Sequence, residues 1–207
     1  MISPPPTDLD LVRGLHKQDR EAFSRVYDEY RAAVYNLCAR ILGDREEAKD
    51  VTQDVFLTAF EKPPAPRDDA RLRPWLFRVA TNACLNRLRS RRTTEPAEAD
   101  QVAAADDPFE RARTASLIEA SLANVNERYR ATLVLKDLQG LETRELAEVL
   151  EVSRPAADVL VHRARAAFRR TTTIVSRLDA LATATWDEPA AATGGPFAGA
   201  VLQTVAA

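Results

Sequence analysis

The side chains most often used in catalysis are sparse in this chain and are not grouped. The sequence has two histidines, His16 and His162, and two isolated cysteines, Cys38 and Cys84. No GxSxG, P-loop or HExxH motif occurs, and the acidic residues fall within amphipathic helical patterns. Without a CxxC or a nearby histidine pair, the cysteines are predicted to be buried, reduced thiols. We therefore expect no catalytic site, no cofactor and no metal centre.

A different chemistry is indicated by the arginines between Leu141 and Arg170. This stretch predicts a short helix, a tight turn and a longer helix, which is the form of a helix-turn-helix. Ser153 is placed to cap the second helix, and Pro155 falls in its first turn, where a missing N–H costs nothing. We expect the apolar positions Val159, Leu160, Ala164 and Ala167 to face inward, and the outward positions to be Arg154, His162, Arg163, Arg165, Arg169 and Arg170. Such a basic helix suits a DNA major groove, although a helical hairpin with solvated arginines fits the same pattern.

The composition favours an all-α protein that does not bind DNA tightly alone. Of the 207 residues, 45% are hydrophobic and only six are glycine, which is too few for a chain rich in β-turns. The net charge is −2, whereas autonomous DNA-binding proteins usually carry a positive field. A partner is therefore expected to supply most of the attraction to DNA. The absence of an apolar run near 18 residues and of a secretory segment predicts a cytoplasmic protein without membrane insertion.

The helix predicted over residues 44–61 has a candidate protein-binding face. Asp44 caps it, and Ala48, Val51, Val55 and Ala59 form its buried stripe. The other face is acidic. Interaction with the helix dipole explains the acids of the first turn but not Asp50 and Asp54. Further along, a contact surface is predicted from Asp50, Gln53, Asp54 and an exposed Phe56. The preceding helix is expected to bury Tyr27 among other apolar residues and to end at Gly43.

The next segment contains the second group of arginines. Prolines make residues 62–73 a loop, and helix resumes at Pro74 with Trp75 on its apolar side. The far end, residues 85–92, has four arginines and no acid. Together with Asn82 and Asn86 it could bind nucleic acid, since arginine contacts phosphates and amides contact bases. A solvated basic helix end remains the alternative.

Composition divides the chain into five parts. Residues 1–7 are predicted to be a disordered leader, and residues 8–92 a helical domain. Residues 93–110 hold six acids and no base, which predicts a flexible linker whose acidity serves solubility or imitates nucleic acid in a basic channel. Residues 111–170 predict a four-helix domain that buries Leu138 and stops one helix at Gly140. Residues 171–207 are expected to begin as helix and to be disordered from about Asp187. The apolar positions from Ile174 to Leu181 suggest the hypothesis that this helix packs on the second domain or modulates its binding.

These blocks together resemble the extracytoplasmic-function, or group IV, sigma factors of the sigma-70 family. DREAFSRVYDEYRAAVYNLCARILG followed by AKDVTQDVF resembles the core-binding segment. PWLFRVATNACLNRLR is similar to the helix that melts and reads the minus-ten element. VNERYRATLVLKDLQGLETRELAEVL with VLVHRARAAFRR resembles the domain that reads the minus-thirty-five element. The resemblance implies two helical domains, the second with a helix-turn-helix, and a transcription initiation factor that opens promoter DNA.

The resemblance also implies roles for individual positions. It implies contact with the clamp helices of core RNA polymerase for Asp50, Gln53, Asp54 and Phe56. It implies minus-ten contacts for Trp75, Arg78, Asn82, Asn86, Arg87 and Arg89, and a base-capturing loop at residues 62–73. It implies minus-thirty-five contacts for Arg154, Asp158, Val159, His162, Arg163 and Arg165. Further implied partners are the polymerase flap and an anti-sigma factor, and the free protein is expected to be monomeric.

The chain departs from the family pattern at several positions. Lys49 stands where an acid is common, and Asp158 stands where a lysine or arginine is usual. Pro155 and Ala156 replace a common Gly-Thr pair. An aspartate at the groove repels phosphates but could accept a hydrogen bond from a cytosine amino group. The competing hypothesis is a stand-alone helix-turn-helix regulator with a helical sensor domain, which predicts dimers and tight DNA binding without polymerase.

Overall fold

The computed structural model describes residues 6–67, 70–94 and 109–184. Every regular element in these ranges is helical, which confirms the predicted all-α fold. The elements are α1 (Asp8–His16), α2 (Arg20–Leu42), α3 (Arg45–Glu61), α4 (Leu72–Thr94), α5 (Phe109–Ala123), α6 (Glu127–Leu133), a π-helix (Val134–Leu138), α7 (Thr143–Val149) and α8 (Arg154–Ala184).

The boundaries of the first helices follow from local capping. Thr7 and Asp10 form a reciprocal capping box at the start of α1, so Thr7 belongs to the folded unit rather than to a leader. The predicted caps of the next helices are also found: Gly43 ends α2 at φ 71°, and the Asp44 side chain accepts from the Glu47 N–H at 3.0 Å. The rest of the predicted leader, residues 1–5, lies outside the described residues.

Helices α1 to α4 enclose the first part of the core. Predicted buried positions of α3, including Ala48, Val51 and Val55, are buried. In α4 the buried stripe is rotated from the predicted one, since Phe77 and Cys84 are fully buried while Trp75 is only partly covered. Trp75 packs against the core cluster but stays partly exposed.

The second half of the chain forms the helix-turn-helix on α7 and α8. Ala157 and Ala164 of α8 are buried, and the Ser153 hydroxyl accepts from the Ala156 N–H at 3.4 Å, as its predicted capping role requires. Helix α8 does not stop at Arg170 but continues to Ala184, so the extension begins as a prolongation of the recognition helix. Of the linker predicted over residues 93–110, residues 93–94 instead end α4 and residues 109–110 begin α5. The part between them, and the distal tail from residue 185, lie outside the described residues.

The two halves of the chain also share one hydrophobic cluster. Leu135, Leu141 and Leu146 of the second half lie in the same buried cluster as Leu72 and Leu76 of α4. The Arg130 guanidinium donates to the Ile41 carbonyl oxygen at 2.9 Å, which ties α6 to the end of α2. A separate small cluster, which includes Leu122, Leu133 and Ala164, holds α5 and α6 against α8. The sequence pattern does not reveal this direct contact between the halves.

Candidate nucleic-acid interface

Helix α4 presents one polar edge at helical spacing. Trp75, Arg78 and Asn82 lie on this edge because residues three to four positions apart share one face of a helix. Asn82 is exposed, whereas Trp75 and Arg78 are partly covered. Asn86 continues the edge, and its side-chain oxygen accepts from Arg89 at 3.1 Å. The structure therefore brings the predicted minus-ten residues other than Arg87 onto one face, and Asn82 and Asn86 are more exposed than Trp75 and Arg78.

The basic end of α4 is partly neutralised within the molecule. The guanidinium of Arg91 lies 2.5 Å from Glu47 and 3.6 Å from Asp44, both at the start of α3. Arg87, a predicted minus-ten residue, also lies near Glu47, at 3.5 Å. The Glu47 carboxylate is mostly covered, so it holds these arginines against α3. This end of α4 therefore has a structural role in addition to any contact with DNA.

Predicted minus-thirty-five residues form an exposed face on α8. Arg154, Asp158, His162 and Arg163 are all exposed. Val159 is 49% exposed, so the expectation that it faces inward is wrong, and its assignment as a contact position agrees with its exposure. Ala157 faces inward in its place. Residues 157, 160 and 164 are three to four positions apart, so they share the face of α8 that packs on α6 and α7.

Arg165 is the one predicted residue of this face that is committed elsewhere. Its guanidinium donates two hydrogen bonds to the Asp137 carboxylate, at 2.5 and 3.3 Å. The hydrogen bond to Asp137 raises the pKa of Arg165 above its usual value. Asp137 lies in the π-helix, where Leu138 is 45% exposed rather than buried as predicted. The wider turn of the π-helix rotates Leu138 outward. The prediction that Leu138 is buried assumed a regular α-helix, so it placed the side chain on the wrong face.

A separate polar and apolar stripe lies on α3. Asp50, Gln53 and Asp54 are exposed, as a contact surface requires. Phe56 is only 2% exposed, so its prediction as an exposed residue is wrong. Its ring packs edge-on against Tyr27, with centroids 4.8 Å apart, and fills the space between α2 and α3.

Two residues that the sequence reasoning missed complete this surface. Leu57 is 48% exposed and follows Asp50, Gln53 and Asp54 at helical spacing. Tyr27, expected to be buried, is 38% exposed. It lines a groove between α2 and α3 together with Leu57. The i, i+3, i+4, i+7 spacing from Asp50 to Leu57 was the available signal.

The loop after α3 is held by α1 at both of its ends. The His16 imidazole Nε2 lies 2.9 Å from the Pro64 carbonyl oxygen, within hydrogen-bonding distance. The Asp8 carboxylate accepts from the Leu72 N–H at 3.0 Å, which caps the otherwise free start of α4. Helix α1 thereby fixes where the loop leaves α3 and where it enters α4.

The two cysteines lie together in the core. Cys38 on α2 and Cys84 on α4 are both fully buried and free, in agreement with the predicted reduced thiols. Interaction with the Cys38 thiol, together with burial, raises the pKa of Cys84 well above its ordinary value. In the described ranges, no three histidine, cysteine or acidic side chains are grouped as metal ligands are. None of the described helices is both long and apolar enough to cross a membrane.

Family comparisons match both halves of the chain. The Sigma-70 region 2 family matches residues 26–94, and the family described as Sigma-70, region 4 matches residues 115–168. The chain is 26% identical over 174 residues to the ECF RNA polymerase sigma factor SigW of Bacillus subtilis (strain 168), covering 77% of this chain and 93% of the relative. It is 30% identical over 175 residues to the RNA polymerase sigma-H factor of Pseudomonas aeruginosa (strain PAO1), covering 77% and 91%.

Solved structures show the same fold. CnrH, in complex with the cytosolic domain of CnrY, matches with a TM-score of 0.60 at 23% identity, covering 84% of this chain and 97% of that one. The sigma factor RpoE of Bartonella quintana, in complex with the anti-sigma factor NepR, matches with a TM-score of 0.61 at 16% identity, covering 73% and 97%.

Proposed function

Since this chain belongs to the sigma-70 family as an extracytoplasmic-function sigma factor, we propose which of its surfaces bind polymerase and promoter. The polymerase surface is the α3 stripe of Asp50, Gln53, Asp54 and Leu57. The minus-ten surface is the α4 edge from Trp75 through Asn82 to Asn86. The minus-thirty-five surface is the exposed start of α8. The observation that supports this assignment is that each surface is at least partly exposed and lies within a matched sigma region.

The proposed mechanism involves binding and no covalent chemistry. With a net charge of −2, this chain attracts DNA only weakly by itself. Polymerase bound to the α3 stripe supplies most of the electrostatic attraction for DNA. The α8 face then docks in the major groove, where Arg154 and Arg163 bind phosphates or guanine edges. Asp158 favours a cytosine amino group at its position. Trp75 stacks with an unstacked base of the melted strand, and Asn82 hydrogen-bonds to a base edge.

Arg165 is assigned a supporting role. Its two hydrogen bonds to Asp137 hold α8 against the π-helix, so it sets the angle at which the recognition helix leaves the domain. His162 and Arg163, three and two residues earlier in α8, are exposed and are the basic side chains available to DNA in this part of the helix.

The partners of the free protein are also proposals. Two relatives of the same fold were solved with CnrY and with the anti-sigma factor NepR, which supports an anti-sigma factor for this chain. We propose that the free protein is monomeric and acts in the cytoplasm, where polymerase and chromosomal DNA are found. The stand-alone regulator is not favoured, because the region 2 match occupies the part of the chain it would use as a sensor.

The test of the proposed function is run-off transcription with purified core RNA polymerase. Core plus this protein should yield discrete transcripts from a genomic template library, and core alone should not. Gel-shift with the protein alone should show weak DNA binding. Tight binding to palindromic sites by a dimer, with no discrete transcripts, would instead establish the stand-alone regulator.

A further inference from the structure

The prolonged part of α8 carries arginines and no acid. From Val159 to Leu178 the sequence has five arginines, at positions 163, 165, 169, 170 and 177, and neither aspartate nor glutamate. The whole chain has 31 acids against 29 lysines and arginines, so this stretch differs sharply from the rest. The family match to Sigma-70, region 4 ends at residue 168, which leaves Arg170 and Arg177 outside it. These two arginines therefore need an explanation of their own.

Arg163, Arg170 and Arg177 lie along one face of α8. They are seven residues apart, and seven residues turn an α-helix to within about 20° of two full turns. All three residues are exposed. Arg163 belongs to the proposed minus-thirty-five surface. Arg170 and Arg177, which we call the distal arginines, therefore continue that surface along the helix.

The distal arginines have no acidic partner in the part of the chain that the structure describes. Exposed cations on other helices pair with an acid one turn away, as Arg25 does with Glu21 at 2.7 Å. Within the described ranges, Arg170 and Arg177 form no ion pair of this kind or with another helix. Their charges are therefore available to a ligand.

Interaction with the helix dipole does not explain the distal arginines either. Cations stabilise the C-terminal end of a helix only when they lie within about its last turn. Helix α8 continues to Ala184, and its last turn contains no basic residue. Neither local pairing nor the dipole accounts for the charge at Arg170 and Arg177, which favours an external anionic ligand.

The length of α8 indicates which part of DNA the distal arginines meet. At about 1.5 Å per residue, Arg154 and Arg163 are about 14 Å apart along the helix axis, close to the major-groove width of about 12 Å. Arg170 and Arg177 lie about 11 and 21 Å beyond Arg163. When the start of α8 fills the groove, these arginines therefore lie outside it, beside the phosphates of the flanking backbone.

We propose that Arg170 and Arg177 bind backbone phosphates beside the minus-thirty-five element, outside the bases that the start of α8 reads. They add affinity without sequence preference, because phosphates are the same at every base pair. Arginine suits this role, since its guanidinium forms paired hydrogen bonds with phosphate oxygens. The inference rests on the proposed function, which places the start of α8 in the major groove. It extends the DNA surface beyond the residues matched to region 4.

The test compares two full-length double variants that lose the same charge. Arg170→Gln with Arg177→Gln removes the distal arginines and keeps a residue of good helix propensity at both positions. The control is Arg20→Gln with Arg40→Gln, which removes two exposed arginines of α2 that the proposal does not place on DNA. Each variant is assembled with core RNA polymerase and titrated against a promoter whose minus-thirty-five element has been mapped.

The distal variant should bind this promoter about three- to tenfold more weakly than the control. The difference should vanish on a promoter in which the phosphates flanking the minus-thirty-five element are replaced by uncharged methylphosphonates. Equal affinity of the two variants on unmodified DNA would overturn the proposal. A difference that persists on the uncharged backbone would also overturn it, and would indicate that the distal arginines bind the polymerase instead.

A second readout needs neither polymerase nor a promoter. Fluorescence anisotropy of the full chain with a labelled, non-specific duplex gives the slope of log affinity against log salt concentration, which reports the number of phosphate contacts. This slope should be less steep for the distal variant than for the control by about 1.8, since each phosphate contact contributes about 0.9. A reduced slope together with failed run-off transcription would support the distal site and refute the proposed function. An unchanged slope together with successful run-off would refute the distal site alone.

Discussion

At the residue scale, two adjacent side chains of α3 have opposite environments, since Phe56 is buried against Tyr27 and Leu57 is 48% exposed. The sequence pattern predicts a contact face from Asp50 to Phe56, and the structure keeps its acids but exchanges Phe56 for Leu57. The pattern predicts an outward Phe56 because the neighbouring polar residues Gln53 and Asp54 face outward. Its actual place depends on the gap left by Tyr27 on α2, which is a tertiary fact that the sequence of α3 does not contain.

Substitutions at Phe56 and Leu57 should have different effects, one on stability and the other on polymerase binding. Phe56→Ala removes a buried ring and should lower the free energy of unfolding by about 3–5 kcal/mol. Leu57→Ala should change it by no more than about 0.5 kcal/mol, because the side chain is half exposed. Leu57→Ala should instead weaken binding to core polymerase by about five- to thirtyfold. Urea denaturation and a polymerase pull-down measure these effects, with Ile174→Ala, also exposed, as the matched control.

The pair of Arg165 and Asp137 predicts coupling rather than direct DNA contact. In a double-mutant cycle with Arg165→Ala and Asp137→Ala, the coupling energy should be about 0.5–1 kcal/mol, since both side chains are partly exposed. Asp137→Ala should weaken minus-thirty-five binding nearly as much as Arg165→Ala. Loss of binding with Arg165→Ala alone would show that Arg165 contacts DNA itself.

The buried thiols predict low chemical reactivity. Both thiols are fully buried, so iodoacetamide at about pH 8 should reach and label neither cysteine in the folded protein. The raised pKa of Cys84, caused by its neighbour Cys38 and by burial, lowers its reactivity further, because only the thiolate reacts. In denaturant both should be labelled, as mass spectrometry can count. Full labelling without denaturant would mean that the contact between α2 and α4 opens readily.

At the element scale, capping residues made the helix boundaries predictable. Gly43, Asp44, Gly140 and Ser153 act within one turn of their own positions, so sequence alone locates them. The role of α1 was not predictable in this way. Its hydrogen bonds to Pro64 and Leu72 join residues far apart in the chain, and no local pattern records such contacts.

Close packing of α1 on α2 gives a prediction at this scale. A Cβ at Gly14 would lie 2.4 Å from the Ala22 Cβ, which forces the two helices apart. Gly14→Ala should therefore lower the free energy of unfolding by about 1–3 kcal/mol despite the better helix propensity of alanine. Because α1 also holds the loop and the start of α4, promoter melting should weaken as well. A more stable variant in urea denaturation would contradict this packing.

At the scale of the whole molecule, the helical patterns predict two helical halves and their order but not the contact between them. The contact is made by side chains that look solvated in sequence, such as Glu148, Glu151 and Arg71. Charges on amphipathic helices are usually solvated, so pattern alone offers no reason to pair them across the chain. Only the folded arrangement shows that the acids of one DNA-binding half lie on the arginines of the other.

As a sigma factor, this chain directs core polymerase to promoters through two separated elements. The most direct measurement maps the 5′ ends of RNAs made on genomic DNA by core polymerase with and without the protein. With the protein, many start sites should share two short upstream sequences near minus ten and minus thirty-five. Start sites that do not change when the protein is added would contradict the claim.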